Sequence, residues 1–310
     1  MQAKNGDKNM LDELTLGPIL FHWPAEKKRD FYFQIADEAP IDTVYIGEVI
    51  CSKRSPFFEP YYEEITERLQ KSGKKVVFSS LAEVMIPRER KMTESLCSLD
   101  SYEIEANDTS ALYHLRETPH RIGPFINVYN ENTMTFLASK GAKHFTLPQE
   151  LPAPVISTMA QQANKIGITL EVQVYGRVGL ALSARCYHAR SHNRMKDNCQ
   201  FVCEEDPDGM PLSTINGTPF LSINGIQTLS YHCMTLLNEI SEMQKMGIHT
   251  FRISPHNHDM IRTSILYRDV LDNKTTPQKA LSELKKVGLQ VPFSNGFYHG
   301  TDGYRWIKAA

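Results

Sequence analysis

Short apolar runs alternate with stretches of helical periodicity along most of the chain. LTLGPILFHW (14–23) precedes a helical stretch over 24–38, in which Pro24 suits a first helical position and Phe31, Ile35 and Ala36 form an inner face. TVYIGEVIC (43–51) is followed, after Pro56, by a helix over roughly 59–72 with Tyr61, Ile65 and Leu69 four residues apart. KKVVFSSLAEV (74–84) leads to a helix opened by Pro87, and SYEIEAND (101–108) to one over 109–116. PFINVYN (124–130) predicts a fifth strand, AKHFTLP (142–148) a sixth with a helix over 153–166, and TLEVQVYG (169–176) a seventh. HTFRISP (249–255) predicts the eighth, between helices over 227–246 and 259–271. Eight such units argue for parallel βα repeats closed into a TIM-like (β/α)8 barrel, with a doubly wound open sheet as the runner-up.

The regular alternation breaks after the seventh strand. The segment 177–226 carries three cysteines and then MPLSTINGTPFLSING (210–225), whose two Asn-Gly pairs predict a small hairpin. The expected organisation is a polar leader over 1–12, a barrel domain over 13–275 containing this insertion, and a C-terminal helix and extended tail over 276–310. In a barrel, the loops leaving the C-terminal ends of the strands carry the active site. Cys51 follows the second strand, so it falls on the same face as the insertion.

Composition changes this picture little. Apolar residues make up 41% of the chain and charged residues 23%, as in ordinary globular proteins. A net charge of -2 supplies no electrostatic argument for nucleic acid or an acidic membrane. The N-terminal residues lack the apolar core of a signal peptide, and no run approaches a membrane span, which gives the cytoplasm as the expected compartment. There, clustered cysteines more often ligate metals than form disulfides.

Cys186, Cys199 and Cys203 fall within one loop. Thiolates are the preferred ligands of soft metals and iron–sulfur clusters, and a closed site needs a fourth, for which Cys51 is the best candidate. Structural zinc usually has close cysteine pairs on both sides. Here only Cys199 and Cys203 are close, so spacing leans away from zinc without fixing the metal. Arg185, Arg190, Arg194 and Lys196 are candidates to offset a cluster's negative charge or to bind an anion. Cys97 and Cys233 read as small hydrophobes within helices. His188 with His192, and His256 with His258, are weaker ligand candidates. Glu48, Glu103, Glu105 and Glu171 lie in or at strands, where a buried carboxylate needs a partner; one or two are expected to face a pocket, joined by Tyr175 and Asn127. No GxSxG, HExxH, GxGxxG or P-loop motif occurs, and no residue receives a catalytic role.

The stretch LSARCYHARSHNRMKDNCQFVC (182–203) resembles the cysteine region of the collagenase-like peptidase family, whose members carry an SGRC-like segment followed by a C-x3-C pair. Residues 16–60 are similar to the N-terminal region of the family's ubiquinone-biosynthesis branch, and the resemblance covers essentially the whole chain. It implies that Cys51, Cys186, Cys199 and Cys203 hold a [4Fe-4S] cluster. It further implies a heterodimer with a sister protein, UbiU, a lipid-binding accessory protein, and oxygen-independent hydroxylation of the aromatic ring of a hydrophobic quinone precursor. The alternatives are a non-catalytic partner subunit with a structural cluster or zinc, an RNA-base hydroxylase, and a peptidase.

Overall fold

A computed structural model of the chain describes residues 11–308. Of the expected leader, residues 1–10 lie outside the described residues; Asp12 accepts a hydrogen bond from Gln244 (2.6 Å) and bonds His249 (2.8 Å). The chain runs β1 (Glu13–Leu16), α1 (Ala25–Glu38), β2 (Thr43–Ile46), α2 (Ser55–Phe58), α3 (Tyr62–Lys71), β3 (Lys75–Ser79), α4 (Pro87–Cys97), β4 (Glu103–Ala106) and α5 (Thr109–Leu115). It continues through β5 (His120–Ile122), α6 (Glu131–Ser139), β6 (Ala142–Thr146), α7 (Ala153–Ile166), β7 (Thr169–Leu182), α8 (Tyr187–Ser191), β8 (Met210–Ser213) and β9 (Pro219–Asn224). β10 (Gln227–Thr235), α9 (Ile240–Met246), β11 (Thr250–Ile253), α10 (Met260–Leu271), α11 (Pro277–Val287) and β12 (Phe293–Ser294) complete it.

Strands β1 to β7 pair in order, all parallel, and β11 closes the ring by pairing with both β7 and β1. This is the (β/α)8 barrel expected from the alternation of runs. The apolar faces of the helices pack on the outside of the ring, as with Ile35, Leu69, Met159 and Leu266. Local signals set the helix ends: Asp108 and Asn130 accept from the backbone N–H groups of Ser110 and Thr133, and Gly167 ends α7 in the left-handed conformation. Among the described residues no helix is long and apolar enough to cross a membrane.

Two elements differ from the sequence reading. The fifth strand is His120–Ile122 rather than 124–130, because Pro124–Ile126 form a 3-10 turn and Asn127 is left-handed, with φ 59°. The helix expected over 227–246 is instead β10 followed by the short α9, so Cys233 lies in a strand. β10 pairs antiparallel with the far half of β7, which outruns the barrel. Gly176 marks that junction: its φ is +119°, and a Cβ there would meet Ser254 Cβ at 2.6 Å. β9 and β8 add antiparallel strands to β10, so the two Asn-Gly pairs do form the expected turns. The insertion therefore stands as a β-flap on the barrel's C-terminal end.

The barrel interior is charged. Glu105, Glu171 and Arg252 are buried there, and Arg252 Nη2 donates to Glu105 Oε1 at 2.7 Å and also to Glu171. Glu171 also accepts from Tyr45 (3.1 Å), Thr146 (2.6 Å) and Thr15. Burial alone would raise the Glu171 carboxyl, but Arg252, His144 and Thr146 hold it well below the usual carboxylate range. The two carboxylates thus serve as partners of an arginine, not as pocket groups. Glu103 sits at the exposed N-terminal edge, paired with Arg121.

Candidate metal centre

Three loops at the C-terminal end of the barrel build the site. Cys51 lies beyond β2, held by the Glu48 carboxylate, which accepts from the backbone N–H groups of Ile50 and Cys51 (3.0 Å each). Cys186 opens α8, where its Sγ accepts from the Ala189 N–H at 3.4 Å. Cys199 ends one short 3-10 turn and Cys203 lies within the next, and the left-handed Gln200 and Phe201 separate them. All four cysteines line one small cavity, closed by Val202, Ile226 and the Asn224–Gly225 turn. None of the chain's six cysteines is in a disulfide.

Two of the cations at this cavity, Lys196 and Arg194, are among those the sequence suggested, and two are not. Arg54 is buried beneath it, donating to Leu20 O (2.9 Å) and Asn224 Oδ1 (3.1 Å), 3.8 Å from Glu48 and beside Cys203. Lys53 Nζ approaches Cys199 Sγ at 3.7 Å and donates to Lys196 O at 2.7 Å. Lys196 lines the cavity, and Arg194 Nη1 donates to Cys199 O at 3.2 Å, whereas Arg185 and Arg190 are exposed away from it. Sequence reasoning missed Lys53 and Arg54, although their place directly after Cys51 was the available signal. Burial pushes the Cys51, Cys186 and Cys203 thiols up, against the pull of Arg54. Ligation then means proton release, with Arg54 favouring the thiolates.

The histidines divide. His188 lines the cavity, its Nε2 on Asp206 at 2.9 Å and its buried Nδ1 without a partner. His192 stacks on it at 5.5 Å. His256 uses both nitrogens elsewhere, on Asp208 (3.1 Å) and the Arg177 N–H (3.1 Å), and His258 bonds Tyr175 at 2.8 Å. That pair and Tyr175 do not line the cysteine cavity. Asn127 lines a separate cavity of about 290 Å3 at the barrel mouth, with Phe125, Tyr129 and Gln149.

Thiols are the donor set that soft metals and iron–sulfur clusters take, and here four of them line one space. Among the described residues no three His, Cys, Asp or Glu side chains converge to hold a single metal ion. The free space between the four thiols is about 20 Å3.

Fold and site together define a (β/α)8-barrel protein with a cysteine-bearing flap over the C-terminal end of its strands. The signature of peptidase family U32 matches residues 30–308, and the chain belongs to that family. The resemblance to collagenase-like peptidases thus holds at the level of the family. Solved structures similar to the chain include an uncharacterized Bacillus cereus protein, at 14% identity over 56% of this chain and 50% of that one, with a TM-score of 0.36. This chain therefore spans half the length of that protein. Others are the DAHP synthase of Thermotoga maritima (10% identity, 94% and 75% coverage, TM-score 0.42) and the Bacillus cereus spore cortex-lytic enzyme SleL (9%, 86% and 76%, 0.42). The fold assignment rests on the barrel itself.

Proposed function

We propose that the chain is the iron–sulfur subunit of an oxygen-independent hydroxylase of the UbiV type, acting on the aromatic ring of ubiquinone precursors. The observation that carries this reading is the meeting of Cys51 with Cys186, Cys199 and Cys203 at one cavity underlain by Arg54. These four residues would hold a [4Fe-4S] cluster, whose chemistry when bound is one-electron transfer. Arg54 and Lys53 would offset its negative charge, and the flap would shield it from water. In the overall reaction a ring C–H becomes C–OH while an oxygenated organic donor exchanges its C–OH for C–H, so oxygen atom and electrons balance without O2. The partners on this reading are the sister protein UbiU and a lipid-binding accessory protein, in the cytoplasm.

A structural cluster in a non-catalytic subunit is the second reading, favoured by the burial of the cysteine cavity beneath the flap. Peptidase chemistry, which the family name suggests, needs a nucleophile paired with a base. Among the described residues, the hydrogen bonds made by cysteine sulfurs go to Lys53, the Ala189 N–H and backbone carbonyls, and none to histidine. Reduction and reoxidation of the full chain, purified without oxygen and followed by electron paramagnetic resonance, separates the first two readings. The expected result is a signal that appears on reduction and disappears on reoxidation over repeated cycles. A redox-inert centre whose removal unfolds the chain would leave the structural reading.

A further inference from the structure

A large cavity lies away from the barrel mouth. α3 packs on α1 and α4 packs on α5, and between α3 and α4 a cavity of about 690 Å3 opens onto the outer face of β3. That volume is in the range of sites that hold a whole small ligand. Its walls are apolar, with Tyr62, Phe78, Met92, Leu96, Leu99 and Tyr102. Three of these form an edge-to-face series, Tyr62 on Phe78 at 5.5 Å and 89°, and Phe78 on Tyr102 at 5.0 Å and 71°. The cavity follows α4 from Arg88 to Leu96, about 12 Å at 1.5 Å per residue.

Two polar features give the cavity a direction. Thr93 is 2% exposed and lines it, and its hydroxyl has no hydrogen-bond partner. A buried hydroxyl left unpaired costs free energy, so a ligand oxygen is its natural partner. At the upper end lies Glu48, the carboxylate that fixes the backbone of Cys51. The segment 48–55 is thus a shared wall, with the cavity on one side and the cysteine site on the other. Charged groups along the lining are Glu48, Glu59 and Glu63 against Arg88 and Lys91, a balance that disfavours an anionic head.

We propose that the cavity between α3 and α4 binds an elongated, uncharged, mostly apolar ligand with an aromatic ring, its ring oxygen bonded to Thr93 Oγ1 and its body along α4. On the function proposed above, on which this identification of the ligand rests, the occupant is the prenylated phenol that is hydroxylated. The edge-to-face wall suits a ring, whose preferred contacts are tilted rather than sandwiched. The 690 Å3 site takes the chain that the 290 Å3 mouth cavity would exclude.

Equilibrium dialysis of the full chain, purified without oxygen, against 2-farnesylphenol and separately against palmitate tests this. One saturable equivalent of the phenol is expected, with palmitate at least about tenfold weaker because its carboxylate would join three lining carboxylates against only two cations. Thr93→Val, which keeps the shape and removes the hydroxyl, should weaken phenol binding about fivefold. Met92→Trp, which sets an indole across the cavity, should abolish it. Phenol binding unchanged in both variants would put the ligand elsewhere, and palmitate binding as tightly as the phenol would make the site one for acyl chains; either overturns the proposal. Iron and sulfide are measured on the same samples. A cluster-bearing chain that binds no phenol overturns the cavity assignment alone. Binding that responds to both variants in a chain unable to hold a cluster overturns the iron–sulfur reading alone.

Discussion

Arg252→Met is expected to destabilise the barrel by about 3–5 kcal/mol, because it leaves two carboxylates inside without their shared cation. Arg252 is 3% exposed and stands between Glu105 and Glu171, both at 0%. Urea unfolding at neutral pH measures the loss, and a change below about 1 kcal/mol would contradict the account. The pH dependence carries a sign. In the native protein the Glu171 carboxyl is held below its ordinary value, so its contribution is fully present above the unfolded pKa and is lost as pH falls through the folded one. In the variant burial is no longer outweighed by Arg252, the Glu171 carboxyl rises, and its protonation relieves the repulsion. The gap between native and variant should therefore narrow as pH is lowered from 7 towards 5.

Arg54→Leu should act on stability and on the metal centre together. The side chain is 2% exposed, ties Leu20 O to Asn224 Oδ1, and faces Glu48 on one side and Cys203 on the other. Its loss leaves Glu48 with Lys28 alone, at 3.8 Å. The expected cost is about 3 kcal/mol, as for a broken buried pair. Iron should also be lost to a chelator at least about tenfold more readily, the usual size of effect for a group supporting metal ligands. Arg54→Lys keeps the charge without the planar fork, and is expected to recover iron retention more than stability. Unchanged iron retention in Arg54→Leu would remove this residue from the site.

The fold was legible where a strand is an apolar run bounded by turns, as in Lys75–Ser79 or Thr250–Ile253. It was illegible where pairing across the molecule decides. His120–Ile122 has two polar residues in three; His120 finds Thr118 O and Arg121 finds Glu103 and Tyr45, so polar side chains are satisfied inside. The neighbouring apolar PFINVYN misled by composition. β10 misled by spacing, since Leu229, Cys233 and Leu237 recur every four residues as on a helix, yet the protruding half of β7 offers this segment a strand partner. Its Thr and Tyr residues were the contrary signal. The cysteine cavity was anticipated because loops following parallel strands share one face, which no local spacing rule reports. Arg252 with Glu105 and Glu171, drawn from three strands, had no such rule. Neither did the α3–α4 cavity, which depends on how far two helices stand apart.

The most direct measurement is iron and acid-labile sulfide per chain in protein purified without oxygen. It is made on the native sequence, on Cys51→Ala, Cys186→Ala, Cys199→Ala and Cys203→Ala, and on Cys97→Ala as a control outside the cavity. The account predicts about four irons and four sulfides, lost in each of the four variants and kept in the control. One zinc without sulfide, or a full iron complement in Cys51→Ala, would contradict it.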